Sequence, residues 1–436
     1  MLLKIVSLNI FTFFLLINAA ISQTKHKNLE PDVFHYKTTI EVDIKKRQVK
    51  GKVTINFLIN PEAKAVTFNC GALQITDIKG ETVKGYEQKD NKVIILLNDR
   101  ANNKNQIQIK YTGNPKSGVV FHSETEQVYT VFSTSEWMIC NNTPNDKATL
   151  AIDLLISQDK TCIASGELIE KAAMKDKMLY SWKQDYASPA YTYGFVIGDF
   201  NKHEERYKRT MLKYFSKSHS PTELQIIFSK TKDMLDFFEE KSGLPYIQNT
   251  YSQILIGKHY QEMSGFSILK DTYGQLVLND STETNLISHE LAHQWWGNMI
   301  TCESWKHFWL NEGFATFMSA AYNEHRFGKA KYQADIESYH SVYEKIKAKG
   351  IDKSLVFANW INPTSDERNL VYFKGAYVLH LLRKELGDEK FWEAIRAYSK
   401  KYYGKSVTTA DFQRTVEESS GKNLEVFFDE WIYKKK

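Results

Sequence analysis

The chain has 436 residues, of which 42% are hydrophobic and 25% charged, and its formal net charge is +5 at pH 7. This composition is ordinary for a globular protein that buries large cores, and the length gives a prior of about three domains. Because the net charge is small and lysines alternate with carboxylates, nucleic acid is not indicated as a partner.

The first residues are predicted to form a signal peptide. Lys4 gives a short positively charged start, residues 5–20 are mostly apolar, and Ala20-Ile21-Ser22 has small residues at the spacing that a signal peptidase reads. We therefore expect cleavage after residue 22 and an exported protein, either periplasmic or secreted. An uncleaved anchor is the alternative, but the apolar run is shorter than the ~20 residues of a spanning helix. No later segment is apolar enough to insert stably in a membrane.

Residues 23–209 are predicted to form a β-sandwich-like domain. Short alternating runs of β-type residues, such as 38–44, 52–57 and 92–96, are separated by Gly, Asn, Asp and Pro. The remainder, residues 210–436, is predicted to be mainly helical, with its clearest helical periodicity at 224–242, 371–386 and 389–402. The predicted fold class is therefore multidomain α+β.

Four cysteines follow the predicted cleavage site: Cys70, Cys140, Cys162 and Cys302. An oxidising compartment permits disulfides, but the sequence cannot choose among the possible connectivities. If one pair forms, we favour Cys140 with Cys162, because these residues flank neighbouring predicted strands. Four buried free thiols are the alternative, since a chain of this length needs no cross-links.

The most informative segment is His289-Glu-Leu-Ala-His293, followed by Asn311-Glu312-Gly313. Residues four apart lie on one face of a helix, so both histidines can bind one metal ion while Glu290 points beside it. Glu312 completes a His2Glu ligand set, which leaves a fourth zinc position open for water. This pattern predicts metal-assisted hydrolysis at one Zn2+ ion. Two ordinary core histidines are the structural alternative.

The helices that carry these ligands also have boundary signals. Asp280 with Glu283 is a possible N-terminal cap of the first helix, and Gly297 is a possible end. The second helix is expected to begin near Asn311 and to end at Gly328.

The segment from His289 to Asn298, His-Glu-Leu-Ala-His-Gln-Trp-Trp-Gly-Asn, followed by Trp309-Leu-Asn-Glu-Gly-Phe-Ala-Thr316, resembles the signature of the aminopeptidase N family of zinc gluzincins. The resemblance implies that His289, His293 and Glu312 bind zinc and that Glu290 is the general base that deprotonates the attacking water.

Two further site residues follow from this resemblance. Tyr372-Phe-Lys-Gly375 is similar to the family's Tyr-Glu-Lys-Gly segment, which assigns stabilisation of the oxyanion to Tyr372. Tyr260-Gln-Glu-Met-Ser264 stands where the family has Gly-Ala-Met-Glu-Asn, and its Glu262 is expected to bind the free amino terminus of the substrate. We find no counterpart of the glutamine that the family uses beside this amine, so amine recognition is expected to rest mainly on Glu262.

The resemblance also implies a thermolysin-like catalytic domain with a small sheet, in which 252–256 and 266–269 are strands. Relatives commonly continue into a helical C-terminal domain, and we expect this chain to be the short two-domain form without it. Such a protein would have an open cleft, unless a partner supplies a lid.

These observations favour an exported zinc aminopeptidase acting on peptide substrates. A zinc endopeptidase or another hydrolase on the same scaffold is the alternative, because the substrate motif departs from the family's pattern. A peptide-binding module without catalysis is a third hypothesis, which the presence of all the expected catalytic groups disfavours. The sequence leaves the oligomeric state open.

Overall fold

The computed structural model describes residues 30–357, 360 and 363–434. The predicted signal peptide, residues 1–22, lies outside the described residues. The described chain folds around two hydrophobic cores, one formed mainly by N-terminal strands and one mainly by C-terminal helices. A β-rich domain followed by a mainly helical domain is the predicted fold class, and it is confirmed.

The N-terminal domain is built from strands whose alternate residues are buried, as expected for sheets with one face against a core. Its strands are β1 (Asp32–Asp43), β2 (Gln48–Leu58), β3 (Ala65–Asn69), β4 (Gln74–Lys79), β5 (Val83–Lys89), β6 (Lys92–Leu97), β7 (Lys104–Gly113), β8 (Val119–His122), β9 (Gln127–Thr130), β10 (Lys147–Ser157), β11 (Thr161–Ala164), β12 (Glu167–Met174), β13 (Lys177–Pro189) and β14 (Phe195–Gly198).

These strands form three sheets around the first core. A seven-stranded sheet has the order β12-β13-β10-β1-β2-β7-β4, and smaller sheets have the orders β11-β14-β9-β8 and β3-β6-β5. β1 pairs with β2 in antiparallel and with β10 in parallel orientation.

A five-stranded sheet connects the two cores. Its strands are β15 (Asn201–Tyr207), β16 (Thr210–Ser216), β17 (Thr250–Leu255), β18 (Gln261–Met263) and β19 (Phe266–Leu269), in the order β15-β16-β17-β19-β18.

Side chains on the two faces of this sheet belong to different cores. Ile254 and Phe266 pack in the first core, whereas Tyr251 and Leu255 pack in the second. β18 therefore lies at an open edge between the two domains. Both strands predicted for this sheet are present. The domain boundary predicted between residues 209 and 210 falls at the hairpin of β15 and β16 and stays a prediction.

The helices of the C-terminal domain pack around the second core. They are α1 (Pro221–Ile227), α2 (Thr231–Ser242), α3 (Tyr273–Asn279), α4 (Asn285–Ala292), α5 (Trp309–Phe327), α6 (Lys329–Ala348), α7 (Ser365–Asn369), α8 (Gly375–Leu386), α9 (Asp388–Tyr402), α10 (Thr409–Ser420) and α11 (Glu425–Phe428). Short 3-10 turns at Thr134–Glu136, Ala190–Thr192 and Trp305–His307, π-helical turns at Leu370–Lys374 and Asp429–Tyr433, and the short strands β20 (Thr301–Cys302) and β21 (Ser406–Val407) complete the fold.

Three predicted helix boundaries are wrong. α4 ends at Ala292 rather than at Gly297, because the chain then turns and the Gly297 N–H donates to the Ile300 carbonyl. The stretch 224–242 is divided into α1 and α2, because the Ser229 hydroxyl donates to the Ile226 carbonyl and competes with the helical backbone bond. Asp280 does not cap α4; it follows α3, and its carboxylate accepts from the backbone and hydroxyl of Thr282 instead. The predicted end of α5 at Gly328 is confirmed.

All four cysteines are buried with free thiols, so the favoured Cys140–Cys162 disulfide is not formed. The backbone of Cys140 pairs with that of Asn69, whereas Cys162 lies in β11 opposite Ile197 of β14. The two cysteines are therefore hydrogen-bonded to different backbone segments. Burial raises the pKa of both thiols.

Within the described part of the chain, no helix is both long enough and apolar enough to cross a membrane.

Two charged residues at the start of β10 make long-range contacts, Asp146 within the N-terminal domain and Lys147 across to the C-terminal domain. The Lys147 ammonium donates to the carbonyl of Met299, which follows α4, and to that of Lys405 at 3.0 Å. The Asp146 Oδ1 accepts from the Val33 N–H at 2.8 Å. Burial raises the pKa of Asp146 to about 7, although the Val33 hydrogen bond opposes this.

Asp146 gives a prediction for the pH dependence of stability. Because its folded pKa lies above that of an unfolded aspartate, about 3.9, its contribution to stability is complete below pH 4 and is lost as the pH rises to 7. We expect Asp146→Asn, which stays neutral, to raise the free energy of unfolding by roughly 2–4 kcal/mol at pH 8 and to leave it unchanged at pH 4. Urea unfolding at both pH values measures this.

Asp153→Asn, farther along β10, is the matched control for the loss of one carboxylate. If the free energy of unfolding of Asp146→Asn had the same pH dependence as that of the wild type, the raised pKa of Asp146 would be contradicted.

Candidate active site

Three side-chain donor atoms converge where α4 crosses α5. His289 lies in the last turn of α4, His293 directly follows that helix, and Glu312 lies in the first turn of α5. The two histidine Nε2 atoms are 3.1 Å apart, and each lies 3.3 Å from the Glu312 Oε2. All three side chains are nearly inaccessible to solvent.

This arrangement fits a zinc ion. Ligand atoms about 2.0–2.1 Å from a tetrahedral zinc are separated from one another by about 3.3–3.4 Å, close to the spacings observed here. Two imidazoles and one carboxylate are also a ligand set that zinc takes in hydrolases, with the fourth position left open.

Neighbouring groups orient these ligands. The His293 Nδ1 lies 3.0 Å from the Trp296 carbonyl, which requires a proton on Nδ1 and leaves Nε2 as the metal-binding atom. Burial alone would raise the pKa of Glu312, but His293 and His289 outweigh it and hold this pKa at about 2. The Thr316 hydroxyl donates to the Glu312 carbonyl at 2.7 Å on the same helix.

Glu290 lies beside the three converging side chains, and one of its carboxylate oxygens accepts no hydrogen bond from the described residues. This oxygen, Oε2, is buried. Burial raises the pKa of Glu290 well above its usual value, His293 opposes this, and Glu262 and Glu312 add to it. A buried carboxylate with an orphaned oxygen and a raised pKa is suited to accept a proton from a bound water molecule.

Tyr372 packs against His289 from the π-helical turn that precedes α8. The two rings are stacked, with centroids 5.9 Å apart and an interplanar angle of 10°. Burial and the nearby Glu312, Glu262 and Glu290 raise the pKa of Tyr372 well above 10, so it remains a neutral hydrogen-bond donor.

A close contact between two helices places Tyr372 beside the metal ligands. A Cβ atom added to Gly313 of α5 would lie 2.9 Å from the Gly375 Cα of α8. A side chain at Gly313 would therefore separate the helix that carries Glu312 from the one that continues from Tyr372. Lys374 fixes the same turn, because its buried ammonium donates to Asp352 at 2.9 Å.

Glu262 lies on the edge strand β18 and faces the same centre. One carboxylate oxygen of Glu262, one of Glu290 and one ring nitrogen of His293 all lie within 4.8 Å of one another. The Gln261 amide donates to the Glu262 Oε2 at 2.6 Å. Burial raises the pKa of Glu262 to about 7, although His293 lowers it.

These groups line one cleft of about 1030 Å³ between the domains. Its walls are rich in aromatic rings: Phe132, Tyr191, Tyr260, Trp305, Phe308, Tyr339, Trp360, Tyr372 and Phe373. The structure thus brings all six sequence-predicted site residues together. Their individual roles stay predictions.

Two cleft residues escaped the sequence analysis. Phe132 lies two residues after β9 in the left-handed backbone conformation, with φ at 57°, and is 56% exposed. Its N–H donates to the Gln261 Oε1 at 3.1 Å. Gln261 therefore links the Phe132 backbone to the Glu262 carboxylate, beside the position expected for the substrate amine. No sequence signal predicts a positive φ at a phenylalanine, and the role of Gln261 depends on a contact between the domains.

Comparisons with known proteins agree with this geometry. Residues 33–192 match the peptidase M1 N-terminal domain, and residues 227–431 match the peptidase family M1 domain. The chain therefore belongs to peptidase family M1. Aminopeptidase 2 of Candida albicans is 23% identical over 93% of this chain and 47% of its own length. Leucine aminopeptidase 2 of Aspergillus oryzae is 28% identical over 67% of this chain and 49% of its own length. The chain spans about half the length of the curated relatives it matches.

Solved structures share the whole fold. An M1 zinc metallopeptidase mutant from Deinococcus radiodurans bound to a Tyr-Ser-Ala substrate has a TM-score of 0.77 at 20% identity, covering 93% of this chain and 95% of that chain. A two-domain M1 zinc metallopeptidase mutant bound to L-arginine has a TM-score of 0.80 at 20% identity, with the same coverage. The two-domain architecture of this chain is therefore that of solved M1 family members.

Two overlapping groups of side chains could hold the metal ion: His289, His293 and Glu312, or Glu262, Glu290 and His293. Measurements of zinc affinity decide between them. We expect Glu312→Gln to weaken zinc binding by about 100-fold or more, because it removes one of the three converging donors. Glu262→Gln should weaken it by less than about tenfold, since Glu262 lies outside that set. Zinc affinity measured by competition with a chelator tests both. The reverse order would place the metal between Glu262, Glu290 and His293.

Proposed function

We propose that this protein is an exported zinc aminopeptidase that removes residues from the amino terminus of peptides. The observation that carries the proposal is the position of Glu262, which has an oxygen within 4.8 Å of both Glu290 and His293. A buried carboxylate so close to the expected hydrolytic centre leaves room for a single residue between a bound ammonium group and the bond to be cleaved.

The roles of the side chains follow from their chemistry. A zinc ion held by His289, His293 and Glu312 would polarise the scissile carbonyl and lower the pKa of the attacking water. Glu290 takes the proton of the attacking water and returns it to the leaving nitrogen. The Tyr372 hydroxyl donates to the developing oxyanion, and Glu262 holds the amino terminus in register.

Export rests on the predicted signal peptide. The endopeptidase alternative is favoured by one observation, the volume of the cleft, about 1030 Å³, which accommodates more than a dipeptide. Against it, an internal peptide segment has no ammonium group to pair with the buried Glu262, and leaving this carboxylate desolvated without a cation is costly.

A pair of matched peptides tests the proposal. Zinc-loaded protein should release the first residue from Leu-Ala-Ala-Ala and leave the N-acetylated peptide intact, because acetylation removes the charge that Glu262 binds. Glu290→Gln should lower kcat by about 100-fold to 10,000-fold through loss of proton transfer. Mass spectrometry of the products measures both outcomes.

Cleavage of the acetylated peptide would establish the endopeptidase alternative. Binding of both peptides without cleavage of either would support the non-catalytic reading.

Phe132 is expected to contact the side chain of the first substrate residue. Its φ of 57° is strained for a bulky residue, and its exposed ring adds nothing to the core, so neither feature stabilises the fold. Asparagine tolerates this conformation. We therefore expect Phe132→Asn to keep the melting temperature while lowering kcat/KM for leucyl-naphthylamide by about tenfold, with little change for alanyl-naphthylamide.

Tyr86→Asn is the matched control, since Tyr86 is an aromatic residue 45% exposed on β5. Equal losses for both naphthylamides in Phe132→Asn would contradict a role in selecting the first residue.

A further inference from the structure

Two cations line the cleft outside the metal and amine sites. They are Lys258, which precedes β18, and Arg368 of α7. Both are exposed, and neither side chain forms an ion pair or hydrogen bond with any residue that the structure describes. The acidic residues of the cleft, in contrast, are gathered at its buried centre.

The acidic neighbours of Arg368 are already neutralised. Asp366 accepts from Lys349 at 3.0 Å, and Glu367 pairs with Lys353 while also capping α7 through Thr364. No carboxylate of the described chain therefore balances the Arg368 guanidinium, which is available to an anion that enters the cleft.

The position of Arg368 gives a length scale. It precedes Tyr372 by four residues, and α7 runs directly into the π-helical turn that carries Tyr372. Four helical residues advance roughly 6 Å along the axis, and an extended peptide advances ~3.3 Å per residue. On this scale, a group bound at Arg368 lies about two residues from a carbonyl that receives a hydrogen bond from Tyr372.

We propose that Arg368, assisted by Lys258 on the other wall, forms a carboxylate subsite about two residues beyond the cleaved bond. An arginine binds a carboxylate through two parallel hydrogen bonds, which favours it over a neutral amide. The carboxylate is either the C-terminus of a tripeptide or an acidic side chain at that position of a longer peptide. The inference rests on the proposed function, because it takes its direction from the amine at Glu262.

Three peptides separate the sources of the carboxylate. Leu-Ala-Ala carries a C-terminal carboxylate, Leu-Ala-Ala amide has none, and Leu-Ala-Glu amide places one on a side chain. For the wild type we expect KM for the free acid to be about 5- to 30-fold lower than for the amide. Arg368→Gln should abolish this preference by raising KM for the acid while leaving kcat and the amide unchanged.

Arg206→Gln is the control for net charge, because Arg206 is an exposed arginine on β15 outside the cleft. It should keep the wild-type preference. A KM for Leu-Ala-Glu amide as low as that of the acid would show that a side-chain carboxylate also binds, whereas one equal to the neutral amide restricts the subsite to the C-terminus.

Binding to zinc-loaded Glu290→Gln, measured by calorimetry with and without Arg368→Gln, keeps the inference independent of turnover. If no peptide is hydrolysed by the wild type, the proposed function fails, but tighter binding of the acid that depends on Arg368 would still support the subsite. Equal binding or equal KM for acid and amide, or a preference that survives Arg368→Gln, would overturn it.

Discussion

The burial of three carboxylates around one centre is the constraint on which the rest of the site depends. Glu262, Glu290 and Glu312 are all removed from solvent, and like charges at this spacing raise the free energy of the folded state unless cations compensate them. The ligand set with Glu312 fits a zinc ion, whereas burial, with a smaller contribution from the neighbouring carboxylates, raises the pKa values of Glu262 and Glu290. In the proposed function, a substrate ammonium group is the second cation that compensates these carboxylates.

The fold maintains this arrangement by a few close contacts. The close contact between Gly313 and Gly375 holds the helix of Glu312 against the helix that continues from Tyr372, and the buried Lys374–Asp352 pair fixes the turn that carries Tyr372. On the other wall, Gln261 joins Glu262 to a strained segment of the N-terminal domain. The β-rich domain thus contributes directly to the surroundings of Glu262.

Short-range sequence patterns predicted the spacing of the histidines, the strands and one helix end. The helical spacing of His289 and His293, the alternating strands and the stop at Gly328 all follow from short-range rules, and the structure agrees with them. Errors arose where short polar side chains form local hydrogen bonds that compete with the helical backbone, as at Ser229 between α1 and α2 and at Asp280. The link from Phe132 through Gln261 to Glu262 joins residues about 130 positions apart, and Phe132 has a positive φ. No local pattern predicts either feature.

The most direct test of this account is a crystal structure of zinc-loaded Glu290→Gln with a bound tripeptide. The account predicts one zinc ion held by His289, His293 and Glu312, the substrate amino group about 3 Å from the Glu262 carboxylate, and the first carbonyl next to the Tyr372 hydroxyl. A peptide that passes the metal with its amino terminus away from Glu262, or a metal bound by Glu262 and Glu290, would contradict it.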